Sequence, residues 1–163
     1  VLGSSFVVKP DNGSKGNEVV KINSESELTE FAANCAGGGY LYQELLEDAQ
    51  EYRIYTLGDK GVATYKKVPS QEDFRANLHA GGSMLPTEPE METELRDFGG
   101  HIADCFGAEI AGIDVFFKDR ELYFLELNWQ PGWENLDKLS GVQFSHETIQ
   151  YILDRTHQVK TRL

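Results

Sequence analysis

The sequence predicts an α+β domain on a mainly antiparallel sheet, and three observations carry that prediction. Segments with strand character outnumber segments with helical period. Several strand segments are joined by short turn sequences of the hairpin kind. The helical segments fall between hairpins and do not alternate regularly with single strands. A length of 163 residues is that of one ordinary domain and is enough to close a hydrophobic core.

Phe6-Val7-Val8-Lys9-Pro10 is a short β-prone run ended by proline, and Asp11 to Asn17 is a turn-rich tip containing Gly13-Ser14-Lys15-Gly16. Glu18 to Ile22 forms the second arm of that hairpin. Ser24, with Glu27 three residues on, is a capping box that opens a helix to about Cys35, stopped by Gly37-Gly38-Gly39. Tyr40 to Leu46, Tyr52 to Leu57 and Val62 to Val68 are three more strands rich in Tyr, Val, Ile and Thr. Gly58-Asp59-Lys60-Gly61 supplies the tight connection between the last two. Pro69 ends the strand, and Ser70 to Pro89 is expected as a long loop, a kind that is commonly functional. Leu95, Phe98, Ile102 and Phe106 set a helical period over Thr93 to Phe106. Ile110 to Phe117 and Glu121 to Leu127 make a hairpin closed by Lys118-Asp119-Arg120, and Ser145 to about Thr156 is a last helix.

With 40% apolar and 26% charged residues, the composition is that of a soluble globular protein, and every apolar stretch is too short for a membrane span. The formal charge of −12 argues against a nucleic-acid surface, which needs a basic face. It leaves room for a nucleotide site, because local cations act over a screening length of roughly 8 Å. Cys35 and Cys105 lie outside any metal-type spacing and are expected as reduced, buried thiols of a cytoplasmic protein. Val1 to Ser5 lacks the basic and apolar regions of a secretory signal and has no initial methionine, so the chain reads as part of a longer polypeptide.

Three clusters carry chemistry. Asp114, Glu126 and Asn128 are oxygen donors of the kind a hard divalent cation accepts. Glu126 and Asn128 are two apart on one strand and leave the same sheet face, with Asp114 on the partner strand. A second account treats them as the polar positions of a hairpin with one exposed face. Arg75, Asn77 and His79 alternate along FRANLHAGG and are able to grip an anion, or else line a solvated loop edge. The Gly13 to Gly16 tip, with Lys9 nearby, offers backbone N–H groups to phosphate oxygens, although hairpin tips are also glycine-rich for conformational reasons. No Ser or Cys nucleophile sits in a recognisable motif.

In order, FVVKPDNGSKG, YLYQELLEDAQEYRIY, EDFRANLHAGG, GIDVFF and LELNWQPGWENL resemble the ATP-grasp superfamily, specifically the RimK-type alpha-L-glutamate ligases. The resemblance runs from about Phe6 to Val142. It implies an ATP-grasp fold of two α+β lobes, a smaller one over about 1–46 and a larger one over about 47–163, with an N-terminal domain of the full enzyme absent here. It further implies a carboxylate–amine ligase that uses ATP with Mg²⁺ or Mn²⁺, a carboxylate substrate and an amino-acid or peptide amine. By position, Lys9, Gly13, Ser14, Lys15 and Gly16 would hold phosphates, and Gln43, Glu44, Leu45 and Leu46 would form the adenine-reading hinge. Glu51 would bind ribose, and Lys66 or Lys67 would supply a basic nucleotide contact. Arg75 and Asn77 would face the transferred phosphate, and Asp114, Glu126 and Asn128 would hold the metal. Trp129, Gln130 and Trp133 depart from the family pattern where it borders the acceptor. A nucleotide-binding module that keeps this fold without catalysing is the alternative.

Overall fold

A computed structural model describes residues 3, 5–12, 19–35, 37–69, 82–133, 136–138 and 143–161. The chain divides into two units, Val1–Asp48 and Ala49–Leu163.

In the first unit, β1 (Phe6–Pro10), β2 (Val20–Ile22) and β3 (Tyr40–Glu44) form an antiparallel sheet in the order β2-β1-β3. Residues directly opposite each other share a face. Phe6 and Val8 therefore share one with Ile22, Tyr42 and Glu44, while Val7 and Lys9 share the other with Leu41 and Gln43. The first face holds the buried side chains Val8 and Ile22. Helix α1 (Glu25–Asn34) brings Phe31 edge-on to Tyr40, with ring centroids 5.3 Å apart. Its start is local chemistry: Ser24 Oγ accepts from the Glu27 N–H at 3.2 Å, and Glu27 reaches back to the Asn23 N–H at 2.8 Å.

The second unit contains β4 (Gln50–Leu57), β5 (Lys60–Val68), β6 (Ser83–Pro86), β7 (Ile110–Lys118) and β8 (Glu121–Asn128). Their order is β6-β5-β4-β7-β8, and every neighbouring pair is antiparallel. The β7–β8 turn has positive φ at Asp119 (52°) and Arg120 (68°), the backbone that keeps twisted strands in register. Helix α2 (Pro89–Phe106) covers the face bearing Tyr52, Ile54, Ile113 and Val115, which together with Leu95, Ala103, Ala108 and Ala111 makes the main core. It lies close to the β4–β5 turn: a Cβ on Gly100 would stand 2.2 Å from the Asp59 carbonyl oxygen. On the opposite face, Tyr55, Leu57, Ala63 and Tyr65 pack with Leu136 and with Phe144 of α3 (Phe144–Thr161). Asp137 secures the start of α3, accepting from the Phe144 N–H at 2.8 Å and the Ser145 hydroxyl at 3.0 Å.

The structure corrects three expectations. The stretch from Ser70 to Pro89 is not all loop, because Ser83–Pro86 pairs with β5 as an edge strand; residues 70–81 lie outside the described part. Helix α2 begins a turn before Thr93, since Pro89 at its first turn and the acids Glu90 and Glu92 favour an N-terminus without needing apolar period. Neither cysteine is fully buried. Cys35 caps α1 half-buried, and Cys105 is exposed because it lies well around α2 from the buried stripe of Leu95, Gly99, Gly100 and Ala103. Among the described residues no helix is long and apolar enough to cross a membrane.

Candidate functional site

Strand alternation gives the five-stranded sheet one apolar face and one face with a polar centre. Register places Glu51 opposite Lys67, Arg53 opposite both Tyr65 and Asp114, and Asp114 opposite Glu126. All therefore leave the same side of β4, β5, β7 and β8. Gly112 pairs with Asn128 on that side, and Asn128 Nδ2 donates to Glu126 Oε1 at 3.2 Å. The three oxygen donors anticipated from the sequence are thus gathered. Asp114 is 1% exposed, Asn128 is half-buried and Glu126 is exposed.

The site is an ionic cluster. Arg53 donates through Nε and Nη2 to the two oxygens of Asp114, a forked geometry that matches a carboxylate. Lys67 is paired with Glu51 and stands 3.5 Å from Asp114 Oδ2. Burial works against the Asp114 carboxylate, yet Arg53, then Lys67, hold its pKa below the usual range. Burial also opposes the Arg53 charge, and Asp114 overcomes it, so the guanidinium pKa is raised. At Glu51 burial wins over the attraction of Lys67, and the pKa is raised. The Tyr55 and Tyr65 phenols beside Arg53 are pushed up mainly by burial.

Two carboxylates directly opposite one another repel unless a cation lies between or beside them. Asp114 and Glu126 are such a pair. With the amide of Asn128 they make a donor set of hard oxygens that fits a divalent ion such as Mg²⁺. The set holds two acids only, and among the described residues no group of three or more His, Cys, Asp and Glu is arranged to hold a metal.

Lys66 and Lys67 part company. Lys66 leaves the opposite face of β5 and meets Glu88 Oε1 at 2.6 Å, while Tyr52 donates to Glu88 Oε2 at 2.9 Å. Of the two, only Lys67 belongs to the cluster. Glu51 also lies there, but 9% exposed and spent on Lys67. In the first unit, Lys9 and Gln43 share one sheet face, Glu44 leaves the other, and Leu45 and Leu46 follow the end of β3. Gly13 to Gly16, Arg75, Asn77 and His79 lie outside the described residues. Arg53 was missed by the sequence reading. Its only local signal is its place two residues after Glu51, on the polar side of an otherwise apolar strand.

Comparison with known proteins supplies the family. The sequence model of the RimK-like ATP-grasp domain matches residues 1–152. Among curated relatives, the probable alpha-L-glutamate ligase of Histophilus somni is 30% identical over 158 residues, covering 93% of this chain and 51% of its own. That of Haemophilus influenzae is 31% identical over 157 residues, with the same coverage. The chain therefore spans about half the length of these relatives. Among solved structures, an ATP-grasp ligase complexed with a minimal precursor superposes with a TM-score of 0.69 at 20% identity, covering 93% of this chain and 48% of that one. The D-alanine–D-alanine ligase of Bacillus anthracis, complexed with ATP, gives 0.67 at 15% identity, covering 98% and 53%. Likeness at such identity speaks for the fold, which is ATP-grasp. Sequence and fold agree that this chain belongs to the RimK-like ATP-grasp family.

Proposed function

We propose that this chain is the nucleotide- and Mg²⁺-binding part of an ATP-dependent carboxylate–amine ligase. The observation that carries the reading is the facing pair Asp114 and Glu126, with Asn128 bonded to Glu126 on the same sheet face. Relatives in the family are named as probable alpha-L-glutamate ligases, and fold neighbours have been solved with ATP or with Mg and ADP.

In this reading Asp114, Glu126 and Asn128 hold Mg²⁺, or Mn²⁺ in its place, and the ion supplies charge neutralisation at the phosphates. Phosphoryl transfer demands positioning and charge stabilisation more than covalent help, which suits a sequence with no Ser or Cys nucleophile in a recognisable motif. A carboxylate takes the γ-phosphate as ADP leaves, and an amine attacks the acyl carbon, forming the amide as inorganic phosphate and a proton depart. Lys67 contributes positive potential on the same face. Glu51 orients Lys67, and its proposed contact with ribose requires that ion pair to open. Lys9 and the Gly13 to Gly16 tip bind phosphates, Gln43 to Leu46 read adenine, and Arg75 and Asn77 face the transferred group. The amine acceptor is an amino acid or a peptide.

The test is ATP affinity with and without Mg²⁺ in the wild type and in Glu126→Gln. Binding that strengthens with Mg²⁺ only in the wild type supports the reading, and equal, negligible binding throughout refutes it. The second reading, a module that binds nucleotide without turnover, is favoured by Arg53 engaging both oxygens of Asp114. ADP release that depends on an added carboxylate and amine decides for the ligase.

A further inference from the structure

We infer that Arg53 is the resident counter-cation of the metal site and sets its affinity: a divalent ion takes Asp114 as a ligand only as Arg53 lets it go. The inference rests on the reading of Asp114, Glu126 and Asn128 as metal donors.

Both oxygens of Asp114 are already occupied. Arg53 spans Asp114 with Nε on one oxygen and Nη2 on the other, and Lys67 stands 3.5 Å from the second oxygen. A forked guanidinium fills the in-plane side of a carboxylate, the same side a cation would approach. The local charges point the same way. Glu51, Asp114 and Glu126 face Arg53 and Lys67 on this part of the sheet, three carboxylates against two cations. A divalent ion in place of Arg53 brings the two signs level. A divalent ion in addition to Arg53 leaves positive charge in excess at a position where Asp114 is 1% exposed and water screens poorly.

The rest of the guanidinium lies over Gly112. Nη1 does not take part in the fork to Asp114, and it lies toward Gly112. A Cβ on Gly112 would stand 2.8 Å from Pro131 Cβ, 3.3 Å from Arg53 Cδ and 3.5 Å from Nη1, so Arg53 packs over the glycine beside Pro131. Arg53 thus keeps a buried carboxylate paired while no metal is bound, when leaving it alone would be costly. The same contact must be undone for metal entry. Arg53 is a positioning residue in this account, acting through Asp114.

The experiment is a Mn²⁺ titration without nucleotide, following free Mn²⁺ by electron paramagnetic resonance, on the wild type, Arg53→Gln, Arg53→Lys and Glu126→Gln. Arg53→Gln removes the competing charge and is expected to bind Mn²⁺ about tenfold tighter, the size of an ordinary coupling between contacting residues. Arg53→Lys keeps a charge and loses the fork, and is expected about threefold tighter. It carries the test if Arg53→Gln does not fold. A folded Arg53 variant that binds Mn²⁺ equally to or more weakly than the wild type overturns the inference and shows Arg53 to be a fixed strut. Wild-type affinity retained in Glu126→Gln, or no Mn²⁺ binding in any protein, overturns the donor reading and the inference with it. Loss of binding in Glu126→Gln with unchanged Arg53 variants overturns the inference alone.

Discussion

The neighbours Lys66 and Lys67 point to opposite faces of one sheet: Lys66 meets Glu88 at the start of α2, and Lys67 is buried against Glu51, 3.5 Å from Asp114. Two residues of the same type, adjacent in sequence, therefore do different work. Lys66→Met breaks a partly exposed pair and is expected to cost about 0.5 kcal/mol without affecting ATP binding. Lys67→Met leaves Glu51 buried and unpaired. It is expected to cost about 3 kcal/mol and to weaken ATP binding. Urea denaturation and nucleotide titration of both variants check this, and equal effects would contradict the assignment.

The close approach of α2 to the β4–β5 turn makes Gly100 a second point of attack. Alanine is worth about 1 kcal/mol over glycine inside a helix. At position 100 its Cβ would stand 2.2 Å from the backbone oxygen of Asp59, a neighbour that cannot rotate away. Gly100→Ala is expected to lower stability by about 2 kcal/mol net, within the range of overpacking. Gly99→Ala meets the Ile54 side chain and not backbone, and is expected to cost less. Thermal unfolding of the two variants gives the order.

Tyr151 anchors α3 by donating to Glu109, which also pairs with Arg155. Burial, then the Glu109 carboxylate, pushes its phenol up to about 12 from an ordinary 10.0. Between those values the folded chain keeps a proton that the unfolded chain releases, so stability falls as pH rises through this window. Glu109→Gln is expected to lower the Tyr151 pKa and to flatten the loss. Phenolate absorbance, compared with a Tyr151→Phe control, together with alkaline unfolding curves, provides the measurement.

Ser24 closes the N-terminus of α1 with its hydroxyl. Ser24→Ala is expected to destabilise the first unit by about 1 kcal/mol. Native-state hydrogen exchange at the Glu27 amide and along α1 reads this directly, and unchanged exchange would show that the cap contributes nothing.

What could be read ahead of the structure was local. The period of two along a strand placed Glu126 and Asn128 on one face, the hairpin placed Asp114 across from them, and the Ser24 capping box opened a helix, all through contacts within a few residues or one turn. The α+β class followed from the same short-range signals. Folding decided the rest. Arg53 reaches Asp114 because β4 pairs with β7, a partner about sixty residues along. Lys67 rather than Lys66 joins the cluster because the apolar set of Tyr52, Ile54, Ile113 and Val115 had to turn toward α2. Residues Ser83–Pro86 become a strand only because the β5 edge is there to accept them. Such pairings are chosen by which face is buried and by which edges the chain topology brings together, and neither is written in any short stretch of residues.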